Sequence, residues 1–455
     1  MSQTDAVGDF GATEPRRTHK LTPLVVGARF LPFALFGGVV AMGRNAPGDG
    51  LVKVLAITVG VVLLLTVLTA GLAYVGWRRC TFWFDDQGDL RVASGVFTRT
   101  ERRLQLSRLQ GVDVVQPLIP RLFGLAQITV EVAGTGDSRA QLQYLANDDA
   151  QNLRNSVIAR AAGLHPDAGE APQQALVEVP SRDLMVSLLL RGVTVALFLA
   201  TLLAVVATWL TAGPGGLFWL LLGGVPLIAV ASEYLTFYGF TVAKSPDGLR
   251  TRSGLLQLQA QTVPPGRLQS VEFVQSWLWR SRDWVRVRIT VAGMDSDNDQ
   301  QQGANSFRQV LLPVAPYDVA VAVVNEILPG VDARKTPLHP AGKRAKWRAP
   351  IQWSRLGVGW DERVLVTSRG KFVWRLAVAP HARTQSVRVT QGPWQRWLGL
   401  ATMHLDSPPG PVSVVALYRD ALEARSLADE QNQRAQQALR LDPAGRWMQQ
   451  RDEDS

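Results

Sequence analysis

The apolar and polar residues of the chain follow two different patterns. Four long blocks are almost continuously apolar, at residues 24–42, 51–77, 184–210 and 217–238. Each is close to the roughly 20 residues that a helix needs to cross a bilayer, and short glycine-rich connections pair them into two hairpins. Outside the hairpins, apolar and polar residues alternate, as in Val285-Arg-Val-Arg-Ile-Thr-Val291. Alternation with a period of two predicts half-buried strands, so the chain is expected to combine four transmembrane helices with strand-rich domains.

A sequence repeat connects the strand-rich regions. The stretch Arg108-Leu-Gln-Gly-Val-Asp-Val-Val-Gln116 returns as Arg267-Leu-Gln-Ser-Val-Glu-Phe-Val-Gln275 and again as Arg383-Thr-Gln-Ser-Val-Arg-Val-Thr-Gln391. Ten of the 27 residues from Arg108 to Gly134 are identical to those from Arg267 to Gly293, whereas average composition gives about two. Self-similarity of this kind predicts one structural unit used three times.

Three positions keep their spacing in every copy. A glycine lies 15 residues before the first glutamine, and a second glutamine lies five residues before an arginine. This repeat framework consists of Gly95, Gln110 and Gln116 in the first copy, Gly254, Gln269 and Gln275 in the second, and Gly370, Gln385 and Gln391 in the third. We expect Gln110, Gln269 and Gln385 to tie loops through backbone hydrogen bonds.

Each copy contains several short strands followed by one helical stretch, at residues 148–160, 317–328 and 420–439. This order predicts an α+β fold in which a small curled sheet or barrel is closed by a C-terminal helix. The predicted organisation is a disordered tail (1–20), a transmembrane hairpin (24–77), a first domain (78–164), a linker (165–180), a second hairpin (184–238), a second domain (239–329), a basic linker (330–350), a third domain (351–440) and a disordered tail (441–455).

The charge distribution suggests an orientation. The net charge is +10, and basic residues flank the first hairpin at Arg16, Arg17, Arg78 and Arg79. The positive-inside rule then places both termini and all three domains in the cytoplasm. The chain carries no nucleic-acid-binding motif, so the bilayer is the expected partner of this charge and nucleic acid is not.

Candidate catalytic chemistry is sparse. The five histidines, His19, His165, His339, His381 and His404, lack metal-ligand spacing, and no phosphate-binding loop or nucleophile motif occurs. The single cysteine, Cys80, excludes an intramolecular disulfide. An inert Cys80 is favoured over a reactive or a palmitoylated thiol. The sequence predicts a protein that is not an enzyme and that needs no metal and no cofactor.

A turn rich in large apolar residues follows the second glutamine in each copy. Its candidate interaction residues are Leu118, Ile119 and Arg121 in the first copy, Trp277, Trp279 and Arg280 in the second, and Trp394, Arg396 and Trp397 in the third. Three interpretations remain open: a buried corner of the barrel, a protein contact, and a tip that dips into the membrane. The arginines could also pair with an internal carboxylate.

Several basic residues are candidates for lipid contact. Arg78, Arg79, Arg102 and Arg103 are predicted to face anionic lipid, and the run at residues 343–348 is either a solvated linker or a second lipid contact. Arg29 and Arg191 lie inside apolar blocks. Because no acidic residue is predicted opposite them, snorkelling to the interface is favoured over a transport path.

The Gln-[Gly/Ser]-Val core, the second glutamine, the Arg-x-x-Gly-Leu stretch and the paired helices together resemble bacterial membrane proteins with pleckstrin-homology-like domains. The three-copy form is similar to the YdbT-like branch. The third copy carries the motif most fully, whereas in the second copy Asp283 stands where Gly124 and Gly399 stand elsewhere. The resemblance implies three pleckstrin-homology-like barrels or sandwiches and a role in binding or assembly, without a reaction.

The leading expectation is therefore an integral, multi-pass protein of the bacterial cell membrane that acts as a scaffold. Its three cytoplasmic domains would bind each other, or other membrane proteins that carry such domains. Anionic phospholipid recognition by the basic domain faces is the alternative, and a transporter with Arg29 and Arg191 in its path is a minor one.

Overall fold

The computed structural model describes residues 15–23, 50–85, 87–95, 99–132, 139–161, 174–212, 218–245, 248–263, 266–292, 309–328, 330–408 and 410–441. The chain divides into two compact units. The first is Met1–Ala171 with Gln257–Gln259, and the second is Pro172–Leu256 with Ala260–Ser455. The first copy of the repeat thus lies in the first unit, whereas the third copy lies wholly in the second.

The first unit contains a 30-residue helix and two small antiparallel sheets. The helices are α1 (Gly50–Arg79), α2 (Leu118–Leu122) and α3 (Asn147–Ala161), and the strands are β1 (Arg16–Arg17), β2 (Thr81–Phe84), β3 (Leu90–Ser94), β4 (Thr100–Leu104), β5 (Leu109–Gln116), β6 (Leu125–Val132) and β7 (Arg139–Ala146). Strands β1 to β4 pair in sequence order, as do β5 to β7. Helix α3 buries Ala150, Leu153 and Val157 in the core, the spacing expected for one helix face.

The segment before the first apolar block is ordered, in contrast to the predicted tail at residues 1–20. Arg16 and Arg17 pair with Phe82 and Thr81, and the indole Nε1 of Trp77 donates a hydrogen bond to the Thr18 carbonyl at 2.9 Å. The physical reason is that an edge strand offers unpaired backbone groups that a short extended segment can satisfy. Residues 1–14 and 442–455, which were also predicted to be disordered, lie outside the described residues.

The second unit contains the other two copies and the second hairpin. Its helices are α4 (Ser181–Leu189), α5 (Gly192–Ala212), α6 (Phe218–Phe237), α7 (Tyr317–Asn325), α8 (Ala345–Arg348), α9 (Pro393–Leu398) and α10 (Ala421–Leu441). Its strands are β8 (Gln174–Glu178), β9 (Thr241–Ser245), β10 (Gly248–Ser253), β11 (Leu258–Val263, which begins at the unit boundary), β12 (Leu268–Ser276), β13 (Trp284–Val291), β14 (Val310–Pro316), β15 (His339–Pro340), β16 (Gly357–Trp360), β17 (Val364–Arg369), β18 (Val373–Pro380), β19 (Ser386–Thr390), β20 (Leu400–Asp406) and β21 (Val414–Asp420).

One seven-stranded sheet joins the second copy to the third. Its strand order is β14-β13-β12-β18-β17-β16-β15, so three strands of the second copy continue into four strands of the third. Strands β12 and β18 pair antiparallel from Val271 opposite Val378 to Ser276 opposite Val373. Backbone hydrogen bonds therefore fuse the two domains into one body.

The predicted closing helices are confirmed to within a few residues. Helix α7 buries Tyr317, Ala320, Val323 and Val324. Helix α10 buries Ala424 and Leu427 against the core formed by β16 to β21. The three sandwiches, each followed by a C-terminal helix, agree with the predicted fold of the domains.

Both predicted linkers contain ordered elements. Within residues 165–180, β8 pairs with β9 at the edge of the second domain. Within residues 330–350, β15 pairs with β16, and Ala341, Ala345 and Ala349 are buried. Alanine is small and often buried, so it allows the backbone to pack closely against a core. The alanine- and proline-rich composition of these segments therefore does not distinguish a packed segment from a solvated linker.

The second hairpin differs from the predicted apolar block at residues 184–210. Helix α4 ends before Arg191 and buries Leu184, Ser187 and Leu188, so it belongs to the domain core. Helix α5 instead exposes residues such as Phe198 and Leu203. Among the described residues one helix, Gly192–Thr211, is long and apolar enough to cross a membrane, where the sequence predicts four. The first apolar block, residues 24–42 with Arg29, lies outside the described residues.

Candidate functional site

The framework glycines share a backbone conformation. Gly95, Gly254 and Gly370 have φ values of 126°, 117° and 83°, a region that glycine adopts without a steric penalty. At Gly370, a Cβ would lie 2.1 Å from the Val373 carbonyl oxygen. The backbone conformation therefore accounts for the repeated glycine.

The second glutamine of each copy holds the apolar turn in place. Gln275 donates from Nε2 to the Trp284 carbonyl at 3.2 Å, and Gln391 donates to the Leu400 carbonyl at 2.9 Å, in each case at the first residue of the next strand. Gln116 donates to the Asn147 side chain. The structure thus assigns the loop-tying role to Gln116, Gln275 and Gln391. The sequence predicts this role for the first glutamine of each copy instead. Of these, Gln269 is buried and Gln385 is exposed.

The turn ends in a left-handed residue in every copy. Gly124 and Gly399 both have φ 67°, and Asp283 reaches φ 49°, which is unfavourable for a residue with a Cβ. In the second copy, Arg334 donates both Nη atoms to the Asp283 carboxylate, at 2.6 and 2.7 Å. Gln275 adds a hydrogen bond at 3.0 Å. The Arg334 guanidinium holds the pKa of Asp283 below its usual range.

In the second copy the turn is occupied by protein. Trp279 is 3% exposed and donates from its indole Nε1 to the Ser187 carbonyl of α4 at 3.0 Å. The backbone nitrogen of Trp277 donates to the Phe372 carbonyl at 2.8 Å. The Arg280 side chain donates to the Lys371 carbonyl beside it. The turn therefore binds an amphipathic helix on one side and the β17–β18 turn of the third domain on the other.

In the other two copies the equivalent turn exposes large apolar side chains. Trp394 and Trp397 of the third copy are 62% and 81% exposed, and Leu122 of the first copy is 77% exposed. Arg396 is exposed on the same short helix. Arg121 lies in α2, and the side chains of Leu118 and Ile119 lie outside the described part of the chain. The turn thus buries Trp279 in the second copy, whereas in the third copy α8 lies beside α9 and Trp394 and Trp397 remain exposed.

The predicted basic face of the first domain is partly neutralised by its own carboxylates. Arg103 lies 2.8 Å from Asp89 and 3.4 Å from Asp85. Arg102 is also engaged by neighbouring groups. Arg78 and Arg79 are exposed at the end of α1, with Arg78 over the Tyr74 ring. These four arginines therefore do not form one uniformly free cationic surface.

Arg191 has an acidic partner that the sequence pattern did not indicate. It lies at the break before α5 and its Nη1 is 2.7 Å from the Glu233 carboxylate of α6. Glu233 also accepts Arg286 of β13 at 2.7 Å. The premise behind the snorkelling interpretation, an arginine without an opposing acid, is therefore wrong for Arg191. The sequence places Glu233 near the same end of its helix as Arg191, which is the signal that could have revealed the pair.

The remaining candidates from the sequence are a metal site and the thiol of Cys80. Among the described residues, no group of three or more His, Cys, Asp or Glu side chains could hold a metal ion. Burial raises the pKa of the Cys80 thiol, which opposes thiolate formation and favours the inert interpretation.

Comparison with known proteins supports the repeat. The family model described as "Bacterial PH domain" matches residues 32–161, 186–331 and 344–435. The UPF0699 transmembrane protein YdbT of Bacillus subtilis (strain 168) is 21% identical over 282 residues, which cover 55% of this chain and 56% of that protein. The chain thus spans about half the length of this curated relative. No solved structure matches the chain.

Proposed function

The chain belongs to the bacterial PH domain family, and from this membership we propose that it is a membrane-anchored scaffold that binds other PH-like domains through its apolar turns. The observation that carries the proposal is the contrast between Trp279, which is docked on α4, and Trp394 and Trp397, which are exposed. An element that binds protein in one copy is suited to bind protein in another.

The anchor consists of the two apolar hairpins. We propose that residues 24–42, 51–77, 192–212 and 217–238 cross the membrane, with both termini and all three domains on the cytoplasmic side. The exposed apolar surfaces of α1 (Leu64, Val67 and Leu68) and α5 (Val193 and Leu203) support this arrangement because such surfaces are stable in lipid and costly in water. The relative from Bacillus subtilis is named a transmembrane protein. Protease protection of N- and C-terminal tags in sealed inside-out vesicles tests the orientation, and protection of either tag would contradict it.

The partner of the third turn is a PH-like domain, in a second copy of this chain or in another protein of the family. In the second copy the occupants are a short amphipathic helix and the β17–β18 turn, and both belong to this architecture. Aromatic side chains with large exposed areas are typical anchors of such contacts. Binding in this mode requires no reaction and no cofactor.

The test is photo-crosslinking in native membranes. A photoreactive residue at Trp397 is expected to give a product that contains two chains with PH-like domains, identified by mass spectrometry. The matched control is the same residue at Leu439, which is 52% exposed and lies near the C-terminal end of α10, whereas the opposite end of α10, at Ala421, bonds to Gly399 of the turn. A Trp394→Ala plus Trp397→Ala variant should lose the partner while the Leu439→Ala variant keeps it. Recovery of monomer alone from Trp397, or equal products from both positions, would count against the scaffold.

A further inference from the structure

A cationic cavity lies where the second hairpin meets the second and third domains. Its volume is about 550 Å³, and its walls come from α5, α6, β12, β13 and β18. The charged residues in its lining are Arg191, Arg286, Arg288, Arg375 and Glu233. Four guanidinium groups against one carboxylate give the lining a net charge of +3, which is unusual for a partly enclosed space.

The ion pairs within the wall do not cancel this charge. Glu233 is shared between Arg191 and Arg286, both at 2.7 Å. Arg288 lies 3.7 Å from Glu272, which is also shared with Arg369 at 3.1 Å. Burial lowers the pKa of Arg288, Glu272 opposes this, and the nearby charges of Arg375, Arg286 and Arg191 add to the lowering. The guanidiniums are thus close enough to repel one another, and an anion between them would relieve that repulsion.

Two buried donors in the lining lack a hydrogen-bond partner among the described residues. Arg286 is 8% exposed, and its Nε donates to the Pro313 carbonyl while Nη1 contacts Glu233, but Nη2 has no partner. The hydroxyl of Ser276, which is 5% exposed, is likewise without one. Buried donors are almost always satisfied in native proteins, so both point to a ligand that accepts hydrogen bonds.

The surroundings of the cavity indicate the ligand class. One wall is formed by the first residues of α5, Gly192 and Val193, and by Ala229 and Phe237 of α6. Ile228 of α6, beside this wall, is 70% exposed. A guanidinium fork matches two phosphate oxygens, and an apolar surface beside it suits an acyl chain. We propose that this cavity binds a phosphate group with its oxygens directed at Arg191, Arg286, Arg288 and Arg375, carried by an anionic phospholipid or by a soluble phosphate ester.

Two titrations of the full chain in neutral phosphatidylcholine nanodiscs distinguish a lipid phosphate from a soluble phosphate ester. One adds phosphatidylglycerol to the nanodiscs, and retained lipid is counted by native mass spectrometry. The other adds glycerol phosphate, followed by calorimetry. Binding of both ligands assigns recognition to the phosphate alone, and binding of the lipid alone assigns it to the headgroup with its chains. Binding of neither overturns the proposal.

The variant that tests the site is Arg191→Gln with Arg375→Gln. It leaves the Glu233–Arg286 pair in place, so the wall keeps its buried acid neutralised. Loss of two charged forks should weaken binding roughly tenfold or more. The control, Arg252→Gln with Arg425→Gln, removes the same charge from two exposed positions of the same unit and should change the affinity less than about twofold. Unchanged affinity in the first variant, or an equal loss in both, would overturn the proposal.

A folding defect is recognised by a lower unfolding temperature without ligand. In that case Arg375→Lys, which keeps the charge but not the fork, should still weaken binding several-fold, and unchanged affinity would overturn the site. The lipid titration rests on the proposed membrane anchoring, whereas the glycerol phosphate titration does not. Neither depends on the exposed turn, so failure of the scaffold and failure of this site are distinguishable.

Discussion

The Glu272 carboxylate on β12 lies 3.1 Å from the Arg369 guanidinium on β17, so an ion pair crosses the joint between the second and third domains. Glu272 is fully buried, whereas the Arg369 side chain is 20% exposed. A buried carboxylate at this place is tolerated because Arg288 lies 3.7 Å from its other oxygen.

Replacement of Glu272 by glutamine should destabilise the second unit. The change leaves two arginines without their shared acid, and we expect the free energy of unfolding to fall by about 2–4 kcal/mol. Urea unfolding followed by tryptophan fluorescence in detergent measures the effect. The Glu326→Gln variant is the control because its pair with Lys244 is largely exposed, and it should cost less than about 1 kcal/mol. Equal costs in the two variants would show that the joint does not depend on Glu272.

The tryptophans of the second and third turns should respond differently to truncation. Trp279→Ala removes a buried side chain and its hydrogen bond to Ser187, so unfolding should become easier by about 3–5 kcal/mol. Trp397→Ala removes an exposed side chain and should change stability by less than about 0.5 kcal/mol. Thermal unfolding of the two variants under the same conditions provides the comparison. A large loss of stability in Trp397→Ala would mean that this turn supports its own domain.

The Asp283–Arg334 pair should make stability depend on acidic pH. The pKa of Asp283 is lowered in the folded state, so the unfolded state binds more protons as the pH falls past the ordinary value of 3.8. The contribution of the pair is therefore present above that value and is lost as the pH falls through the lower folded pKa. The Asp283→Asn variant should lose this part of the pH dependence. The measurement is the free energy of unfolding in a series of buffers from pH 6 downwards, about one pH unit apart. The same slope in both proteins would exclude Asp283 as its source.

Gly370→Ala should be costly because of backbone conformation. Its φ of 83° disfavours a Cβ, and that Cβ would clash with the Val373 carbonyl oxygen at 2.1 Å. We expect a loss of more than about 1 kcal/mol in the free energy of unfolding. Gly342→Ala is the control, since a Cβ there meets nothing within 4 Å and should be nearly neutral. Chemical unfolding of both variants measures the two effects. An unchanged free energy of unfolding in Gly370→Ala would contradict the requirement for glycine.

The repeat allowed much of each domain to be predicted from the sequence. The repeat aligns Asp283 with Gly124 and Gly399, and the structure shows that all three residues are left-handed. The predicted strands and closing helices followed because apolar periodicity reports directly which face of an element is buried. Local patterns of this kind require no knowledge of the rest of the chain.

The contacts between elements could not be predicted in the same way. Strands β12 and β18 pair through backbone groups that every strand possesses. The pattern of side chains therefore does not predict which strand pairs with β12. The break at Leu190 and Arg191 lies inside a run that is apolar except for Arg191, and composition does not separate the core helix α4 from α5. Whether the turn is buried or exposed depends on which neighbouring element packs against it. The sequence around Trp279 and Trp397 does not identify that neighbour.

The third domain has no apolar hairpin of its own in the sequence, yet it is attached to the second through six consecutive residue pairs between β12 and β18. A sheet resists bending across its hydrogen-bonded strands far more than a flexible linker does. The second domain and strands β15 to β18 of the third domain would therefore move together, so one apolar hairpin sets the orientation of two domains.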